Sequence, residues 1–412
     1  MNGAGMHRWL SVVGIGADGM AGISPAARTL IATAELLVGG ARHLAMVPPA
    51  MAPLDRAERL VWRRPIGDTL GDIAARRGIR VTVLASGDPM WYGIGALLAR
   101  HFPIDEITIV PHPGVFSLAA SRLGWAIEDC IALSLHGRPL DSLRLHLAPG
   151  ARLLLLSHDG DTPRGVAALL CASGWGPSRM TVFEHLGGER EAVFSGPAED
   201  WGERRAADLN TIALECVPGP GARPLARLAG LPDDAFDHDG QLTKREIRAM
   251  TLARLAPLPG ETLWDVGAGC GSIAIEWLRA VAGAVAIAVE QHEARAAIIA
   301  RNAARLGVPG LRVVAGRAPE ALAGLPRPDA IFIGGGIAGP ILLDTAWAAL
   351  RSGGRLVANA VSIEGERRLL DWRERNGGEL TRIAVSRAEP LGAHHAWRPL
   401  LPVTQYSAVK PG

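Results

Sequence analysis

The sequence predicts two α/β domains of different kinds. Three observations carry this. Strand-like apolar runs alternate with helix-like segments along the whole chain, a proline- and glycine-dense stretch breaks that rhythm, and 412 residues exceed what one ordinary core organises. The expected bounds are residues 1–217 and 235–412, with a linker at 218–234.

In chain order, "WLSVVGIG" (9–16), "ELLVGG" (35–40), "RVTVLASG" (80–87) and "ITIVPH" (107–112) read as strands. "IALSLHG" (131–137), "ARLLLLSHDG" (151–160), "MTVFEHLG" (180–187) and "TIALECV" (211–217) follow. Unbroken Val, Ile and Leu runs mark strands covered on both faces. Segments such as "TPRGVAALLCASG" (162–174) carry helical spacing and a closing glycine. The break is "PGPGARPLARLAGLPDD" (218–234). Beyond it, "ETLWDVG" (261–267), "AVAIAVE" (284–290), "LRVVAG" (311–316), "DAIFIGG" (329–335) and "GRLVANAV" (354–361) read as five strands alternating with helices. "LTRIAVSRA" (380–388) and "VTQYSAVK" (403–410) have no long helix between them, which predicts a closing antiparallel pair.

Hydrophobic residues make up 48% and charged residues 20%, the balance of a well-buried globular chain without a disordered tail. A net charge of +2 provides no electrostatic footprint for nucleic acid or membrane. Lys244 and Lys410 are the only lysines. Cysteines 130, 171, 216 and 270 lie far apart, so neither a metal site nor a disulfide framework is expected. The start lacks a signal sequence and no apolar run reaches transmembrane length, so the expected location is cytoplasmic.

"LWDVGAGCGSIAIEW" (263–277) places glycines 267, 269 and 271 directly after a strand. A dinucleotide fingerprint is G-x-G-x-x-G, because a pyrophosphate must approach the helix N-terminus. Here the third position of that fingerprint is Ser272, and Asp265 precedes the loop, where it would repel an anion. Glu290 ends the next strand, placed to accept hydrogen bonds from a ribose diol. A nucleoside with a cationic group fits better, and S-adenosylmethionine is such a ligand. In the first half, "LASGDPMWYGIG" (84–95) sets Asp88 on a sharp turn at a strand's carboxyl end, where open α/β sheets bind ligands. Asp88 could equally bond its own backbone as a turn former.

"GIGADG", "SGDPMWYGIG", "PGVFSLAASRLGW", "LSLHGR", "LLLLSHDGDTP" and "EHLGGERE" resemble the tetrapyrrole (corrin/porphyrin) methylase family. "LTKREIRAMTLARLAPLPGETLWDVGAGCGSIAIEW", "AGRAPEAL", "DAIFIGGG" and "GGRLVANAVSIE" resemble the decarboxylating precorrin-methyltransferase domain. The resemblance covers nearly the whole chain. It implies a two-subdomain methylase fold first, and second a Rossmann-like, seven-stranded class I methyltransferase fold.

The resemblance further implies one S-adenosylmethionine per domain. The first would contact Ser86, Gly87, Asp88, Trp91, Phe116 and Ser117, with Ser157 and Ala213. The second would contact Thr243, Gly267, Ala268, Gly269, Cys270, Gly271, Glu290 and Ala318. Arg317 stands where related sequences often carry an acid. The implied reaction is methylation of precorrin-6B at C5 and C15 with loss of the C12 acetate carboxyl, giving precorrin-8X in cobalamin biosynthesis. Displacement at a sulfonium needs no side-chain nucleophile or metal; orientation and exclusion of water would supply up to about 7–11 kcal/mol. Substrate carboxylates call for cations, with Lys244, Arg245, Arg387 and "GAHHAWRP" (392–399) as candidates, and His394 or His395 as proton donors. The glycines of "IGGGIAGP" (333–340) serve either a broad macrocycle or close helix packing. A homo-oligomer is expected. The competing reading is a double methyltransferase for another substrate such as RNA, which the low net charge disfavours.

Overall fold

The computed structural model describes residues 8–49 and 57–412. Two compact units emerge: residues 1–138 with 148–223, and residues 139–147 with 224–412.

The first unit holds two sheets. β1 (Leu10–Ile15), β2 (Leu36–Gly39), β3 (Glu58–Val61), β4 (Val81–Ser86) and β5 (Ile107–Val110) form a parallel sheet in the order β3-β2-β4-β1-β5. Helices α1 (Pro25–Ala32), α2 (Ala41–Ala45), α3 (Ile66–Ala74) and α4 (Ile94–His101) connect and flank these strands. Alternate residues of β1 enter opposite cores: Leu10 and Val12 pack with α3 and α4, Val13 and Ile15 with α1 and α2. After α5 (Val115–Leu123) comes a mixed sheet of β6 (Cys130–Ser134), β7 (Arg152–Leu156), β8 (Arg179–Glu184), β9 (Ala192–Pro197) and β10 (Asn210–Glu215). Its order is β6-β7-β10-β8-β9, parallel only between β6 and β7, and α6 (Thr162–Ala172) follows β7 in sequence.

β3 and β9 escape the sequence reading for one reason. Both are edge strands, and "ERLV" and "AVFSGP" are half-exposed mixtures with no continuous apolar run.

The second unit is a three-layer sandwich. α7 (Arg245–Leu255) precedes β11 (Thr262–Val266), α8 (Ser272–Ala280), β12 (Val285–Glu290), α9 (Glu293–Arg305), β13 (Arg312–Ala315) and β14 (Ala330–Ile333). α10 (Leu342–Ala349), β15 (Arg355–Ala360), α11 (Ile363–Asn376) and β16 (Glu379–Ile383) follow. A ribbon of β17 (Ser386–Leu391) and β18 (His394–Pro399) leads to β19 (Val403–Val409). The seven-stranded sheet runs β13-β12-β11-β14-β15-β19-β16: five parallel strands closed by an antiparallel β19 between β15 and β16. The fold is therefore the Rossmann-like one expected. Leu263 buries against α7, α8 and α9, while Trp264 and Val266 bury against α10 and α11. The run at 380–388 is not one strand: it stops at Ile383, and Ser386 begins the separate ribbon. Among the described residues no helix is long and apolar enough to cross a membrane.

Candidate functional site

In the second unit, strand order reverses between β11 and β14, and open α/β sheets bind ligands outside the carboxyl ends at such a point. A cavity of about 990 Å³ lies there, at the top of the ~300–1,000 Å³ range of ligand pockets. Of the predicted residues, Thr243, Gly267, Ala268, Gly269, Cys270, Glu290 and Ala318 line it. Gly271 does not: it takes φ +81° to start α8, donates its N–H to Ala268 O at 2.8 Å, and lies against Ile299. Gly267 has a packing role as well, since a Cβ there would sit 2.7 Å from the backbone nitrogen of Gly335. The glycines after β14 thus serve both purposes weighed from sequence: Gly335 packs closely against Gly267, and Gly334 to Gly336 line the cavity.

Glu290 is 4% exposed at the end of β12. Its Oε2 accepts the Gly269 N–H at 2.8 Å and its Oε1 the His292 N–H at 3.0 Å. These two donors fix the carboxylate, and its remaining lone pairs can serve a diol. Asp265 lies buried beneath the loop. Its Oδ2 accepts the Ala274 N–H at 3.0 Å, and Oδ1 has no partner among the described residues. Burial pushes its carboxyl up to about 7, and the nearby Glu290 charge adds to the rise. Burial likewise raises the Cys270 thiol to about 11, so it lines the cavity as a neutral group.

The wall carrying Thr243 is pinned by a buried network. Arg248 is fully buried and donates from Nε to Glu276 Oε1 at 2.6 Å and from Nη1 to Thr243 O at 2.5 Å, and it also bonds Leu231 O. Glu276 accepts the N–H groups of Gly230 and Leu231. Asn302 reaches both Asp237 and Cys270 O, tying the segment before α7 to the glycine loop.

Apart from Lys244, the sequence candidates for substrate carboxylates and for proton donors are elsewhere occupied or displaced. Arg387 already has two acids, Asp233 at 2.9 Å and Glu246 at 2.6 Å. Arg245, His394 and His395 are exposed and do not line the cavity; the histidines belong to β18. Lys244 and Arg317 do line it. Asn359, at the end of β15, lines it too and was missed from sequence. It bonds Thr251 Oγ1 and Gln405 Nε2 at 3.0 and 2.9 Å.

In the first unit a cavity of about 60 Å³ lies between the ends of β1 and β4 and the second sheet. Ser86 and Gly87 line it, together with Arg42, Asn210 and Thr211. The other predicted residues surround it or lie apart. Asp88 Oδ1 accepts the Met90 N–H at 2.8 Å, the self-bonded turn allowed for above. Ser157 Oγ bonds Asn210 Oδ1 at 2.5 Å. Phe116 and Ala213 are buried in the core, Trp91 is half-exposed with its ring 5.7 Å from that of Phe116, and Ser117 is exposed on α5. Ser86 Oγ meets His43 Nε2 at 2.9 Å and Arg42 Nη2 at 3.3 Å. Arg42 and His43 carry no sequence signal beyond following a strand's carboxyl end.

Residues 10–201 match the family described as Tetrapyrrole (Corrin/Porphyrin) Methylases, and residues 234–410 the Precorrin methyltransferase domain. A Sinorhizobium protein named precorrin-6Y C(5,15)-methyltransferase [decarboxylating] is 51% identical over 402 residues, 98% of this chain and 96% of its own. The chain belongs to this family. Two shorter relatives each match less than half of it. A Salmonella typhimurium cobalt-precorrin-7 C(5)-methyltransferase is 36% identical over 45% of this chain and 88% of its own length. A Pyrobaculum aerophilum protein named probable cobalt-precorrin-6B C(15)-methyltransferase (decarboxylating) is 36% identical over 42% and 92%.

Proposed function

We propose that this chain transfers methyl groups to C5 and C15 of precorrin-6B and removes the C12 acetate carboxyl as carbon dioxide, giving precorrin-8X in cobalamin biosynthesis. The observation that carries this reading is the buried Glu290 carboxylate, held by two backbone N–H groups beside the Gly267–Gly269 turn at the switch point of the sheet. An acceptor fixed in this way, beside a turn whose third fingerprint position is Ser272 rather than glycine, suits a nucleoside diol better than a pyrophosphate. S-adenosylmethionine, when bound, supplies the methyl group as an electrophilic sulfonium.

We assign one donor to each unit. In the second, Thr243, Gly267 to Cys270, Glu290 and Ala318 would hold it, with Gly271 shaping the turn behind. In the first, Ser86 and Gly87 would touch it directly. Asp88, Trp91, Phe116, Ser117, Ser157 and Ala213 would form the surrounding frame. C5 methylation belongs to the first unit, and C15 methylation with decarboxylation to the second. The existence of separate relatives, each named for one of these carbons and each about half as long, supports that division.

The test is mass spectrometry of precorrin-6B incubated with donor and enzyme, comparing Gly269→Arg and Asp88→Arg. Gain of two methyls and loss of one carbon dioxide, with Gly269→Arg losing the C15 share and Asp88→Arg the C5 share, is the expected result. Unchanged precorrin in the presence of protein that still binds donor would leave a double methyltransferase and discard the corrin substrate.

A further inference from the structure

The 990 Å³ cavity has two chemically different halves. On the β11–β13 side it is polar, with Glu290, Gln291, Arg295 and Arg317. On the β15–β19 side it is walled by Ile247, Val361, Val385, Leu400, Leu401 and Val403, with Asn359 as the polar group at the end of β15. These are neighbours in space. Ile247 and Val403 share a small core with Val385 packed on it, Leu400 N–H donates to Val385 O, and Val361 follows β15, whose Ala360 pairs with Thr404. Val361 and Leu401 are 63% and 74% exposed, an apolar surface left facing the cavity. One cation borders this wall: Lys244, one turn before Ile247, with no acid partner among the described residues.

We propose that this wall is the decarboxylation subsite: it seats the carboxylate that leaves, while Lys244 holds a different carboxylate of the same macrocycle. The inference rests on the precorrin reading above. A carboxylate loses its charge as carbon dioxide departs, so surroundings that solvate or pair it hold back the reaction, and an apolar wall does not. In the step, the bond between the methylene and the carboxylate carbon breaks. Its electron pair enters the conjugated macrocycle and neutralises a protonated ring nitrogen, and carbon dioxide leaves. A proton from water then completes a methyl group on the former methylene carbon. A cation beside the leaving group would oppose this step, so the unpaired lysine must serve another of the substrate's several carboxylates.

The test places a charge on the wall at its exposed positions, where folding tolerates it: Val361→Lys and Leu401→Lys, with Val361→Met and Leu401→Met as neutral controls of similar bulk. Carbon dioxide release and precorrin-6B affinity are both measured on the full chain. The expected result is that each lysine variant binds precorrin as tightly as its methionine counterpart or tighter, yet releases carbon dioxide roughly tenfold more slowly than that counterpart or worse. Equal losses in the lysine and methionine variants overturn the proposal. So do weaker binding by the lysine variants and an unchanged rate of carbon dioxide release from bound substrate. If the parent protein binds donor but neither methylates nor decarboxylates precorrin, the underlying functional reading fails instead.

Discussion

Replacing Glu290 by glutamine tests the donor site with little change of shape. The carboxylate accepts one backbone N–H on each oxygen, from Gly269 and from His292. An amide keeps one acceptor and turns an NH2 group toward the other N–H, so one backbone donor is left facing a donor in a buried site. That costs about 1–3 kcal/mol of stability. The ligand loses more than one neutral bond, because a ribose hydroxyl bonded to a carboxylate is charge-assisted, worth about 1.5–3 kcal/mol. At about 1.4 kcal/mol per factor of ten, the dissociation constant rises roughly 10- to 150-fold. Calorimetric titration of the full chain with S-adenosylmethionine reads this directly: one of two affinities falls and the other stays. A lowered melting temperature with both affinities unchanged would refute the reasoning and leave Glu290 as a buttress of the glycine loop.

Gly271→Ala, at φ +81° with a Cβ 2.7 Å from Ile299 Cγ2, should cost about 1–3 kcal/mol of stability with little effect on donor affinity, measured by urea melts and titration. Gly269→Ala shares the left-handed backbone strain at φ +60°, but its Cβ meets only Gln241 O at an ordinary 3.6 Å and faces the cavity, so donor affinity should fall along with stability. Arg248→Met strips the buried Glu276 of its ion pair and should cost about 3–5 kcal/mol, with faster proteolysis between 231 and 244. The two units should respond oppositely to pH. Asp265, raised from 3.8 to about 7 by burial, holds a proton in the fold that the unfolded chain has released, so stability falls as pH rises from about 4 to 7. His43, lowered from 6.5 to about 4 by burial and by Arg42, stays neutral in the fold, so stability is lost as pH falls from about 6.5 to 4. Calorimetry from pH 4 to 8 should show Asp265→Asn flattening the first slope and His43→Asn the second.

Much of this was legible because buried parallel strands are unambiguous in sequence. "LLVG" and "AIFI" are apolar at every position because helices cover both faces, and both are strands. What failed were edges and ribbons. Ser386–Leu391 and His394–Pro399 pair only with each other and bury little; in sequence the first reads as the end of the strand at 380–388 and the second as a loop carrying free arginine and histidine. Arg387 shows the limit most directly. Its sequence neighbours do not reveal that Asp233, 154 positions away, holds it at 2.9 Å. The same applies to Asn359, whose partner Gln405 is 46 positions distant.

The two candidate donor sites also differ in how much of their chemistry a motif can carry. In the second unit the recognising groups are consecutive: a glycine turn, then the acid that ends the next strand, and the spacing alone exposes them. In the first unit the small cavity has no acid among its described lining. It is built from Ser86 and Gly87 of one sheet, Asn210 and Thr211 of the other, and Arg42 as its one charged side chain. A nucleoside held there would rest mainly on backbone and neutral polar groups drawn from segments more than a hundred residues apart. Such contacts place few constraints on residue type, so the turn at Gly87 is visible in sequence while most of what surrounds it is not. That is why family resemblance added more to the first half of the chain than to the second.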